Sequence, residues 1–127
     1  MSIEYKEIPE HNAVELTLKG TVTKDDYHEL FKKFEAFLEN RDSIKILEII
    51  EDAECLKGLD LKVFWEGLKF DAQHWKKYEK CAVVSDMTWV SPMVQLADKL
   101  TAIQARRYEM SELFDAREWL YAPEVDA

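Results

Sequence analysis

Glycine and proline are scarce, at three residues each in 127. That excludes a chain built of tight turns and any Gly-rich phosphate cradle. Only two cysteines are present, with no CxxC spacing, so Cys55 and Cys81 are expected to be reduced rather than paired or metal-bound. No window reaches the roughly 18 consecutive apolar residues that a membrane-spanning helix needs. The stretch Met1-Ser2-Ile3-Glu4-Tyr5-Lys6-Glu7 lacks the basic-then-apolar order of a signal peptide, so a cytoplasmic protein is expected. A basic stripe is also missing. Lys32-Lys33, Lys76-Lys77 with Lys80, and Arg106-Arg107 alternate with acids, and 26 acidic against 17 basic side chains give a net charge of −9. Such a surface repels phosphate backbones and anionic lipid, which argues against a nucleic-acid partner.

What remains is 47% hydrophobic and 34% charged, enough apolar side chain for one core and too much for disorder. Ile3 to Ile8 reads as a strand, Pro9 to Asn12 as a turn, and Val14 to Lys19 as a second, strictly alternating strand with one wet face or a place near an edge. A connection this short makes the two antiparallel. Thr23 then caps a helix whose apolar stripe is Tyr27, Leu30, Phe31, Phe34, Phe37 and Leu38, with Val22 and Tyr27 at the two positions of a hydrophobic staple. Ile44 to Ile50 is nearly continuous in apolar residues, as a strand covered on both faces requires. A helix is expected over Leu59 to Lys80, a short buried strand over Cys81 to Ser85, and another helix after Ser91-Pro92. Gln104 to Met110 reads as a polar edge strand, and Ser111 as the cap of a last helix. The order ββαβαβαβα implies an α/β domain, hairpin first and parallel strands after it, with four principal helices. One domain over residues 1–122 and a frayed tail over 123–127 are expected.

Specific residues then become recognisable. Gly20-Thr21-Val22-Thr23-Lys24-Asp25-Asp26-Tyr27 resembles the opening of the first helix in the SpoIIAA-like family, relatives of the STAS (anti-sigma-factor-antagonist) domains. Trp65-Glu66-Gly67-Leu68-Lys69-Phe70, Tyr78 to Asp86, Trp89 and Ala116-Arg117-Glu118-Trp119-Leu120 are similar to later parts of it. The resemblance implies a small sheet backed by helices. It does not carry a phosphorylation switch to this chain. The Ser that opens the second helix in phosphorylated STAS regulators has no counterpart in Asp52 to Asp60, where the acids would oppose an added phosphate.

The chemistry-bearing residues form no recognisable catalytic set. His11, His28 and His74 are far apart, and Asp71 with His74 supplies two of the three or four ligands that a metal needs. No G-x-S-x-G elbow is present, and Glu54 and Asp52 oppose a thiolate at Cys55. No cofactor, no metal and no catalytic residue are therefore expected. Glu51, Asp52 and Asp86 fall at strand C-terminal ends, the edge where open α/β sheets hold ligands, and Trp89 follows them. The expected site is this rim, binding a protein rather than catalysing, through a non-enzymatic regulatory module. On the Leu59–Lys80 helix, Phe70 lies about 200° around from Leu68. Val63, Phe70 and His74 thus make a second semi-apolar face, beside Phe64 and Trp65. It is expected to be covered within the fold, to meet a second copy in a homodimer, or to roof a pocket for a small apolar ligand.

Overall fold

The turn between the first two strands follows from its residues. In a computed structural model that describes residues 3–51, 73–87 and 103–123, β1 (Ile3–Ile8) ends at Pro9, whose fixed φ starts one turn of 3-10 helix over Pro9–His11. Asn12 closes it at φ 52°, donating its N–H to the Pro9 carbonyl at 3.1 Å, a left-handed conformation that Asn tolerates. β2 (Ala13–Leu18) then runs back antiparallel to β1. Gly20 at φ +58° turns the chain away.

Helix α1 (Lys24–Leu38) begins in a reciprocal capping box. The Asp26 N–H donates to Thr23 Oγ1 at 3.2 Å and the Thr23 N–H donates to Asp26 Oδ2 at 3.0 Å. The staple expected from Val22 and Tyr27 is present, both being buried in one cluster with Ile3, Leu18 and Ile50. Further along, Phe34, Phe37 and Leu38 pack on Val14, Ile44 and Ile46. β3 (Ile44–Ile50), β4 (Tyr78–Val84) and β5 (Gln104–Tyr108) complete a sheet of order β1-β2-β3-β4-β5, with every pairing after the hairpin parallel.

The opposite face of the sheet is covered by α2 (Leu113–Tyr121), whose Ala116 and Leu120 are fully buried against Leu47, Ile49, Ala82 and Val84. β3 is thus covered on both faces, which is why its apolar run is almost unbroken. Among the described residues no helix is long and apolar enough to cross a membrane.

Two local expectations need correction. The helix expected to reach Lys80 stops earlier: Trp75–Lys77 is a single 3-10 turn and β4 has begun at Tyr78, paired with Ile44. Ser111 is not a cap. It lies inside a 3-10 turn over Met110–Glu112, where the Glu109 N–H donates to Glu112 Oε1 at 2.9 Å. β2 lies near an edge, one strand in from β1, but its polar side is not wet throughout, because Glu15 is buried at 9% exposure. The helix after Ser91-Pro92, most of the helix from Leu59, and residues 124–127 of the expected tail lie outside the described residues.

Candidate functional site

The expected rim is assembled by backbone bonds between strand ends. Past the end of β3, the Glu51 N–H donates to the Leu18 carbonyl at 3.2 Å, leaving an exposed side chain. At the end of β4, Ser85 is fully buried and its N–H donates to the Tyr108 carbonyl at 2.9 Å. Its carbonyl accepts from Arg107 Nε at 3.0 Å, and its hydroxyl oxygen accepts the Met87 N–H at 3.2 Å. Asp86 is exposed, and its Oδ1 accepts the Met110 N–H at 2.9 Å. Part of Asp86 therefore holds the turn after β5. Glu109 follows β5 and is exposed as well. Three neighbouring parallel strands each end beside an acid.

At the end of β2, Lys19 faces Glu4 at 3.0 Å. The hydrogen bond to Glu4 and its charge, with the Glu51 charge behind them, hold the Lys19 ammonium above its ordinary pKa. Glu51 and Asp86 are thus brought to one edge as expected. Asp52 and Trp89 lie outside the described residues.

Of the second expected set, Val63, Phe64, Trp65 and Phe70 also lie outside them. His74 is half-buried just before β4, at the sheet end opposite the rim. A pocket of about 10 Å³ beside β1, lined by Ile3, Tyr5, Asp26, Glu29, Leu30 and Lys33, has room for one water. Among the described residues no group of three or more His, Cys, Asp and Glu is placed to hold a metal.

A carboxylate that sequence reasoning passed over is engaged through both of its oxygens. Glu15 accepts from Arg117 Nη2 at 2.8 Å through one oxygen and from the Tyr121 hydroxyl at 2.6 Å through the other. His11 stacks on the Tyr121 ring at 4.5 Å. Burial alone would raise the Glu15 pKa, but the two hydrogen bonds and the Arg117 and Lys6 charges outweigh it and hold the carboxyl below its ordinary value. Burial, then the bond to Glu15, push the Tyr121 phenol well above its own. A carboxylate held ionised in this way is a poor proton donor or acceptor near neutral pH. It works as an anchor. The available signal was Arg117 and Tyr121 four apart on a helix, one turn of polar atoms that an interior acid could satisfy.

A second polar anchor sits nearby, where buried Lys80 donates to the Trp119 carbonyl at 3.1 Å. Arg106 lies 4.8 Å over the Trp119 ring.

The family model for SpoIIAA-like domains matches residues 13–121. The chain belongs to the SpoIIAA-like family. This SpoIIAA-like domain is also similar in fold to a solved structure from Shewanella loihica PV-4, described as an uncharacterized protein from the DUF3478 family with a SpoIIAA-like fold. The TM-score is 0.69 at 21% identity, over 93% of this chain and 91% of that one. No curated protein matches it.

Proposed function

We propose that this SpoIIAA-like domain is a non-catalytic interaction module that docks a basic protein surface on its strand-end rim. The observation that carries this reading is the rim itself. Glu51, Asp86 and Glu109 stand exposed at the ends of three adjacent strands, on a backbone tied by the Glu51–Leu18, Ser85–Tyr108 and Asp86–Met110 bonds. A fixed row of like charges attracts a partner of opposite sign and orients it without ordering itself first. The net charge of −9 extends the attraction beyond the rim.

Glu51 is the residue to test, because its side chain is exposed while its backbone N–H makes the bond to Leu18. Crosslinking through Lys19 and Lys24, which flank the rim, in cells that make the protein should capture a basic protein. Glu51→Lys should weaken that capture, as should raising the salt towards about 1 M, where screening reaches only about 3 Å. Capture that is indifferent to both changes removes the rim as the docking surface.

A further inference from the structure

The direction of the β2 carbonyls decides what the outer edge of β1 offers. The Asn12 carbonyl accepts from the Lys45 N–H at 2.9 Å and the Leu18 carbonyl accepts from the Glu51 N–H at 3.2 Å. Both therefore point to β3. Because successive residues of a strand aim their polar groups to opposite sides, Ala13, Glu15 and Thr17 aim theirs at β1. By register they meet Ile8, Lys6 and Glu4. The N–H and C=O groups of the alternate residues Ile3, Tyr5 and Glu7 thus project outward. Among the described residues β1 has no second neighbour. Such an edge is a template for another strand.

Its sequence, Ile-Glu-Tyr-Lys-Glu-Ile, restricts what that strand can be. We propose that β1 pairs antiparallel with β1 of a second copy about a two-fold axis at Tyr5, joining two sheets into one of ten strands. With the axis there, the outward groups of Tyr5 bond to Tyr5 of the second copy, and those of Ile3 bond to Glu7. Glu4 then stands opposite Lys6 of the second copy, twice over by symmetry, at the closer non-hydrogen-bonded spacing where side chains touch best. Axes at the neighbouring residues fail: one at Lys6 sets Lys6 against itself, and one at Glu4 sets Glu4 against itself. An axis between two residues would set an outward backbone against an inward one. Of the axes at Glu4, Tyr5 and Lys6, that at Tyr5 satisfies both backbone and charge, and it leaves α1 and α2 of each copy on the faces that they already cover. The pairing is independent of any partner at the rim.

Sedimentation equilibrium on the full chain at tens of micromolar tests it, with an expected mass of twice 15.0 kDa. Glu7→Pro removes an outward N–H and leaves the β1–β2 ladder whole. It should raise the dimer dissociation constant about tenfold or more, with the thermal midpoint of the monomer little changed. Glu4→Lys should act in the same direction, and the double change Glu4→Lys with Lys6→Glu should restore association, because the swapped charges are complementary again. Circular dichroism of each variant confirms that it is folded. A mass of 15.0 kDa throughout overturns the proposal. So does a dimer that Glu7→Pro and Glu4→Lys leave intact, since its interface must then lie elsewhere.

Discussion

Glu15 ties together residues that are 102 and 106 positions apart in sequence, and its energetics follow from its burial. With 11% of its side chain exposed against 44% for Arg117, the carboxylate is the partner that suffers most when a bond is lost. Replacing it with Ala strands the Tyr121 hydroxyl and frees Arg117 to solvent, at a cost of about 2 kcal/mol, within the range for hydrogen bonds to a charged group. Glu15→Gln keeps the shape and one acceptor and should cost less. The sign of the pH effect is also fixed. Above the ordinary value of 4.5 both folded and unfolded chains carry the charge, and the contribution is complete. As pH falls below 4.5 the unfolded chain takes up its proton first, so stability drains away until the native carboxyl is protonated too. Urea unfolding at pH 7 and near pH 4 should therefore show a smaller acid loss for Glu15→Gln than for the wild type. An unchanged acid loss would mean that other carboxylates dominate.

At the scale of elements, local signals and long-range pairing divide the sequence between them. β1, β2, α1 and β3 are readable because each has its own period and its own stop: Asn12, Gly20 and the Thr23–Asp26 box are all local devices. Thr23→Ala should accordingly destabilise the protein by about 1 kcal/mol, the usual worth of a side-chain cap, measurable as a lowered urea midpoint with an unchanged slope. The stretch before β4 misleads for a physical reason. Trp75 and Tyr78 keep a helical spacing and Lys76, Lys77 and Lys80 favour helix, yet Tyr78 and Lys80 align with Ile44 and Lys45 in the sheet, and pairing overrides propensity. Glu15 escaped for a related reason. Alternation along β2 separates apolar from polar side chains but does not say that a helix a hundred residues later will cover the polar side. Of the rim, Glu51 and Asp86 were legible from strand ends alone, whereas the bond from Met110 to Asp86 was not, since no local pattern announces it. On α2, Leu120→Ala should cost about 2–5 kcal/mol, because Leu120 is fully buried between β3 and β4. A loss under 1 kcal/mol would show that α2 packs more loosely than its contacts indicate.

For the whole molecule, a charge of −9 at pH 7 acts on folding as well as on partners. Self-repulsion is relieved when the compact state expands, so moderate salt should raise the melting temperature of the monomeric variant. A fall would mean that the attractive pairs of Glu15 and Glu4 outweigh the net repulsion. The position of α2 has a further consequence for how the protein is made. During synthesis the chain leaves the ribosome from its first residue onward, and every strand of the sheet precedes residue 113. Among the described residues, the cover over Leu47, Ile49, Ala82 and Val84 on that side of β3 and β4 comes from Ala116 and Leu120, so it is missing until α2 has been made. Apolar sheet that lacks its α2 cover is the kind of surface that chaperones hold and that aggregates when neighbouring chains are close. Closure comes only when Arg117 and Tyr121 reach Glu15, a residue made 102 and 106 positions before them. The same clamp that secures the finished fold makes its completion wait for α2, which is made after every strand of the sheet.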